Sequence, residues 1–332
     1  MSSPEDQPHG SDDQPHVTGT TIKEAEPARA GGGGSQRLGD RIFSGAALGS
    51  GILILATLAG VATFLLVEAF PVLSASAEDV TGDAGFLGYV WPLVIGTVVA
   101  SVIALAVATP VAVGIALFVS HYAEARTGRA IGFVIDLLAA VPSVVFGMWG
   151  LTVFAPAVVP LFGWFEDNLG WIPIFESSSA TGRTLMTASL VLAVMILPII
   201  TSVSREVFLQ TPKLHEEAAL ALGATKWEMI TTAVIPFGKP GVIGGTMLGL
   251  GRALGETMAV TIILSTGGLT FNLIGTGNST IPAEIALNFP EASGLRLSEL
   301  IAAGLVLFVI TLVVNLFARS IVEKRAEFSG AN

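Results

Sequence analysis

The amino-acid sequence predicts an all-α polytopic membrane protein with six transmembrane helices and both termini in the cytoplasm. Three observations lead there. Of 332 residues 52% are hydrophobic and 13% charged, with a mean hydropathy of +0.74. That is about half the charge of an average soluble domain, so a soluble enzyme of this length is excluded. Beyond Arg41 long apolar stretches alternate with polar connectors, and a bilayer-crossing helix needs about 20 largely apolar residues. The basic residues gather on one set of connectors, as the positive-inside rule requires of the cytoplasmic side.

Residues 1–40 stand apart. They carry Glu5, Asp6, Asp12, Asp13, Glu24, Glu26 and Asp40, four of the 17 prolines, and the run Gly31 to Gly34. With so little apolar surface to offset chain entropy, this stretch reads as a disordered acidic tail. It lacks the basic start of a secretory signal. Ser35, Gln36 and Arg37 follow the glycines where a phosphate-binding loop would have Gly-Lys-Ser/Thr. The chain has no cysteine and hence no disulfide framework or thiolate metal site. The sequence implies neither a metal nor a cofactor. The net charge of −10 is not gathered into a block that would suggest nucleic-acid binding.

The membrane-spanning body covers 41–325, with a short tail at 326–332. Its six apolar spans fall at about 44–67, 92–119, 131–155, 184–203, 241–264 and 298–318. Pro142, Pro156 and Pro160 interrupt or end the third, which then belongs inside a bundle where neighbours satisfy the freed carbonyls. Lys23, Arg29, Arg37, Arg41, Arg126, Arg129, Arg205, Lys213, Lys226, Lys239, Arg319, Lys324 and Arg325 lie on the tail and alternate connectors. The opposite connectors hold only Arg183 and Arg296 of the 16 basic residues, alongside Glu78, Asp79, Asp83, Glu166, Asp167, Glu176, Glu284 and Glu291. Trp91, Trp164 and Trp171 lie on or beside these outer connectors, where interfacial aromatics belong. Asn278-Ser279-Thr280 matches a glycosylation acceptor and is expected to be unmodified. Asp136 reads as a charge at the cytoplasmic end of the third span, with a contact to an ATPase as the other possibility.

The connector at 204–240 is too long for a turn. Thr211-Pro212 starts a helix, Glu216 and Glu217 sit in an early turn where the dipole favours acids, and Gly223 stops it. A second short helix at about 225–233 ends at Pro236. On physical grounds the loop is an interfacial segment or a docking knob. Its residues resemble the EAA loop of ABC importer permeases: Glu217-Ala218-Ala219, three residues, Gly223, nine residues, then Ala233-Val234-Ile235-Pro236. Ala233 and Ile235 depart from the family's usual Ile and Leu. The resemblance implies a type I importer permease, with a coupling helix at about 212–226 that inserts into a separate ATP-hydrolysing subunit.

Arg252 and Glu256 lie within the fifth span, Arg252 near its centre and about 18 Å from either end. An arginine there costs about 2.5–3.5 kcal/mol on insertion scales. Four apart on one helix, the two share a face and are able to neutralise each other. Yet Glu before Arg is the better order for helix stability, and here Arg comes first. The functional alternative is an anion path. A guanidinium offers five donors in a planar fork, and a neighbouring carboxylate keeps the site from trapping its anion permanently. Glu256 is also placed to accept the proton that hydrogen phosphate carries and sulfate lacks. The glycines of this span, Gly244, Gly245, Gly249, Gly251 and Gly255, suit close helix approach and equally a thin-walled path.

The segment Gly249-Leu250-Gly251-Arg252-Ala253-Leu254-Gly255-Glu256-Thr257-Met258-Ala259-Val260 is similar to the signature of the PstC family, permeases of phosphate-specific ABC importers. Val141 to Leu151 and Thr211 to Thr225 fit the same family. The companion PstA family shares the R-A-x-G-E core; the G-E-T-M-A-V continuation and an outer loop of about 28 residues between spans three and four favour PstC. The resemblance implies an alternating-access permease in a prokaryotic plasma membrane, with phosphate passing Arg252, Glu256 and Thr257. Its implied partners are a PstA-like permease, two ATP-binding cassette subunits and an extracytoplasmic phosphate-binding protein. Catalysis is not expected of this chain. Permeases for another oxyanion such as molybdate, a non-ABC anion transporter or channel, and a membrane-bound signalling partner remain as alternatives.

Overall fold

The computed structural model describes residues 38–265 and 270–326. The expected acidic tail lies outside the described residues, save that Leu38–Asp40 already open the first helix; residues 327–332 of the short C-terminal tail also lie outside them. By internal contacts the chain separates into residues 1–56 and 57–332. The described part of the first unit is the beginning of α1 (Leu38–Leu73), whose side chains from Arg41 to Ala56 are exposed. The second unit carries everything below.

Among the described residues six helical runs are long and apolar enough to cross a membrane: Arg41–Leu73, Gly85–Tyr122, Ser143–Leu169, Leu185–Leu209, Lys226–Gly255 and Leu295–Phe317. This is the expected number, and each overlaps its predicted span. In lipid every backbone N–H and C=O must find its partner within its own segment, which is why apolar sequence of this length goes to helix.

Two boundaries differ from expectation. The third span begins at Ser143 rather than 131. The chain from Ala125 to Ala139 forms a separate amphipathic helix, α3, because Pro142 disfavours helix for Val141 and restarts it as the N-cap of α4 (Ser143–Trp149). Beyond it a π-helical turn at Gly150–Phe154 leads into α5 (Ala155–Leu169). What was expected as an outer loop of about 28 residues is therefore half helix, leaving residues 170–184 as the connector. The fifth span, by contrast, begins early. Instead of a short helix ending at Pro236, α8 (Lys226–Met229) runs through a π turn at Ile230–Val234 into α9 (Ile235–Gly255). In both places the π turn ends two residues before a proline, Pro156 or Pro236. A proline ring collides with the carbonyl four residues back, here Thr152 or Thr232, and the wider turn moves that carbonyl aside.

The core is built around α6 (Leu185–Leu209), the most buried span. Opposite it, α2 (Gly85–Leu117) turns inward Ala100, Ala104, Ala108, Ala112 and Ala116, one per helical turn and all essentially inaccessible. Small side chains let the two backbones approach closely, which is how helices associate where lipid is as apolar as protein. One end of the bundle is closed by α11 (Ile281–Asn288), the start of α12 (Leu295–Ala326) and the loop before α11. There Thr97 Oγ1 accepts from the Ile281 N–H at 2.9 Å, and a Cβ on Gly96 would run into the Ser279 carbonyl oxygen. Because that neighbour is backbone, Gly96→Ala is expected to cost about 1–3 kcal/mol, read as a lower unfolding temperature of the detergent-purified protein; an unchanged midpoint would remove this close approach.

Candidate functional site

The candidate path residues lie where the fifth span ends. Helix α9 stops at Gly255, Glu256 takes an extended conformation (φ −68°, ψ 121°), and the chain restarts as α10 (Met258–Ile263). Arg252 and Glu256 therefore do not share a face of one continuous helix, as the spacing predicts. Arg252 sits in the last turn of a run that starts at Lys226, not at the centre of a 241–264 span. Among the described residues the two make no ion pair, and Arg252 makes no hydrogen bond. Glu256, only 9% exposed, instead turns toward the start of α10, where its Oε1 accepts from the Ala259 N–H at 3.1 Å. Thr257 is half-buried at the break, its Oγ1 donating to the Gly255 carbonyl at 3.2 Å.

Gly245 and Gly249 serve the close helix approach expected of this span, joined by Gly238 and Gly241. Added Cβ atoms on Gly238, Gly241, Gly245 and Gly249 would meet Phe208, Val207, Val203 and Ile200 of α6, so these four form a seam between α6 and α9. Gly244, Gly251 and Gly255 face open space. Arg252, seven residues beyond Gly245, follows at the edge of the seam and is partly buried. As a cation in the last turn of α9 it is favoured by the helix dipole.

The break is held by a second sequence segment. On α4 a Cβ at Gly147 would come within 2.9 Å of the Ala259 Cα, and one at Gly150 within 2.7 Å of Ile263. The Val141–Leu151 and Gly249–Val260 segments, distant in sequence, are thus packed together. Arg183 completes the support: its Nε and Nη2 donate to the carbonyls of Ile263 and Leu264, at 3.2 and 2.8 Å, and satisfy the free end of α10. This use of Arg183 went unread in the sequence; a single basic residue on the otherwise acidic connector between the third and fourth spans was its signal.

The expected coupling loop is a helical hairpin. Helix α7 (Lys213–Ala221) ends with Ala224 N–H bonded to the Ala219 carbonyl and Gly223 N–H to that of Leu220, with Gly223 at φ +86°: a Schellman motif that needs glycine at this position. Thr225 and Glu228 then cap each other's backbone at the start of α8. Glu217 and Ala218 are exposed, while Ala219 packs on the cluster around Met229 and Ile230. Leu214, Leu222 and Trp227 are also exposed, Leu222 at 90%. His121, on the π turn Phe118–Tyr122 ending α2, reaches Glu216 at 3.5 Å, and Lys226 lies over the Tyr122 ring.

A further cluster was missed. Glu299 on α12 is 2% exposed and accepts from Thr81 N–H, Thr81 Oγ1 and Arg296 Nη1 at 3.0, 2.8 and 2.7 Å. Arg296 also bonds Glu284 at 2.8 Å and lies over the Tyr89 ring. An acid inside the apolar sixth span demanded a cation nearby, and Arg296 three residues earlier supplied it. Asn278 is 3% exposed with its side chain engaged by Thr270 and Asn272. Asp136 accepts from Ser202 Oγ at 3.3 Å.

Residues 108–326 match the family model described as "Binding-protein-dependent transport system inner membrane component". The chain is 47% identical over 299 residues to "Phosphate transport system permease protein PstC 2" of Mycobacterium bovis, covering 86% of this chain and 92% of that one. It is 46% identical over 295 residues to "Phosphate transport system permease protein PstC" of Mycobacterium leprae, covering 85% and 92%. In fold it is similar to a chain of the bacterial alginate ABC transporter solved with its alginate pentasaccharide-bound periplasmic protein. The TM-score there is 0.54 at 16% identity, over 84% of this chain and 93% of that one.

Proposed function

The chain belongs to the family of binding-protein-dependent transport system inner membrane components, and from that premise we propose that it is the PstC-type permease of a phosphate ABC importer, in which the anion passes the break between α9 and α10. The observation that carries this reading is the pairing of a broken helix with an arginine whose side chain has no partner among the described residues. Irregular backbone within a spanning segment is tolerated where it is enclosed by protein or lines a water-filled cavity, and discontinuous helices of transporters form substrate sites. Arg252 stands at that break, its fork unengaged among the described residues, beside the open side of α9 left by Gly251 and Gly255. Such a fork suits the paired oxygens of phosphate.

The hairpin of α7 and α8 is the docking element for an ATPase. Its exposed Leu214, Leu222 and Trp227 supply the apolar contact, and Glu217, Ala218, Ala219 and Gly223 the EAA framework. ATP hydrolysis falls to two such subunits, which sit on the cytoplasmic side together with both termini of this chain. A PstA-like permease supplies the other half of the path and an extracytoplasmic phosphate-binding protein delivers the substrate.

Glu256 gives the test of substrate class. Glutamine retains a carbonyl oxygen for the Ala259 N–H, so Glu256→Gln removes the charge and leaves the cap. If Glu256 accepts the proton of hydrogen phosphate, sulfate should compete with labelled phosphate uptake about 10-fold or more better in the variant. Unchanged discrimination in cells with normal membrane levels would rule out this role for the carboxylate.

A further inference from the structure

A cavity of about 650 Å³ opens between the end of α2, α3 and α6, sharing no residue with the α9–α10 break. Arg205 of α6 enters it across Gly132 of α3, where any Cβ would collide with the guanidinium Nη1. Gly128, one turn earlier, is also buried and lines the cavity. The two glycines thin α3 so that the arginine fits beneath it. Arg205 Nε is inaccessible and has no acceptor. Arg129 lines the same cavity, with its Nε bonded to the Ala125 carbonyl and the rest of its fork uncommitted. Asp136, the one acid of the lining, makes no ion pair with Arg205 and accepts instead from Ser202. Among the described residues no side chain or carbonyl accepts from the Arg205 fork, and a buried N–H left so costs about 1–3 kcal/mol, more when charged; with Nε closed off, the terminal nitrogens are what Arg205 offers to an acceptor entering the cavity.

We infer that the cavity is a binding site for a phosphate group, held by Arg205 with Arg129 at its mouth. Two arginines offering planar forks suit a tetrahedral oxyanion with a net negative charge. Around the mouth the surface is apolar: Phe133 and Leu209 are 69% and 55% exposed. A phosphate group that carries acyl chains finds a place for them there, and basic pockets between membrane helices hold acidic headgroups in this way. Free inorganic phosphate offers the same group without the chains.

The whole importer, extracted and stripped of lipid, tests the site by native mass spectrometry. Phosphatidylglycerol, phosphatidylcholine and inorganic phosphate are added in separate arms to wild type, Arg205→Gln, Arg205→Lys and Arg129→Gln. The expected result is retention of one phosphatidylglycerol per copy of this chain in wild type, reduced at least 10-fold in Arg205→Gln and less steeply in the other two, with no retention of phosphatidylcholine. Should inorganic phosphate alone be retained with the same dependence on the arginines, the site stands and its occupant is the free anion. Arg129 is exposed, so Arg129→Gln and Arg205→Lys keep the test available if Arg205→Gln does not assemble. Retention equal to wild type in those variants, or equal for phosphatidylglycerol and phosphatidylcholine, would overturn the assignment.

Discussion

Replacing Arg252 by glutamine is expected to lower phosphate uptake about 100-fold while the chain still inserts and assembles. Hydrogen bonds between charged partners contribute about 1.5–3 kcal/mol each. A bidentate contact to the passing anion thus amounts to about 3 kcal/mol or more, and each 1.4 kcal/mol is a factor of ten. The fold gives little reason for stability to suffer: Arg252 makes no hydrogen bond or ion pair among the described residues, and glutamine is a comparably good helix former. Arg252→Lys keeps the charge but loses the fork, so its uptake should fall between the two. The measurement is initial-rate uptake of labelled phosphate in cells whose membrane content of the complex is matched by immunoblot. Wild-type rates in Arg252→Gln would remove this residue from the path and leave the fold untouched.

The second large effect is on stability. Arg296→Met leaves Glu299 and Glu284 without their shared cation, in positions where the acid side chains are 2% and 13% exposed. Removing one member of a buried ion pair costs about 3–5 kcal/mol, most of it the penalty of the stranded charge. The double variant Arg296→Met with Glu299→Gln strands less charge and should recover much of the loss. Thermal unfolding of the purified protein distinguishes the cases. If the single variant unfolds with the wild type, the cluster is solvated and its charges do not brace that end of the bundle. If the double variant is no better than the single, the arginine contributes through packing on Tyr89 and not through its charge.

Much of this was legible in the sequence. Length and apolarity gave the number of spans because lipid leaves the backbone no alternative to helix. The EAA spacing located the hairpin, and a glycine was correctly placed where φ must be positive. Two kinds of information were not legible. One is where a helix restarts: the apolar run at 131–155 is continuous in hydropathy, yet Pro142 divides it, while Pro236, read as a terminator, is absorbed by a π turn. A proline's effect depends on whether the carbonyl four residues back has room to move, which is a property of packing. The other is the break at Glu256. The segment Gly251 to Thr257 contains no proline, and its hydropathy continues into Ile263, so the spacing of Arg252 and Glu256 suggested a shared face that the chain does not make. Tertiary partners sustain the interruption: Gly147, Gly150 and Arg183, the first two more than 100 residues earlier.

Four side chains of α6, Ile200, Val203, Val207 and Phe208, seat in the four notches that Gly249, Gly245, Gly241 and Gly238 cut into α9. Lengthwise slip would have to lift all four from their seats together, so the two helices are keyed and move as one rod. The C-terminal end of α6 leads into the α7–α8 hairpin and α9 follows from it, while the far end of α9 is the break itself. If the hairpin receives the ATPase, as proposed, a push delivered there would be carried along a helix some twenty residues long as far as Gly255, its last helical residue.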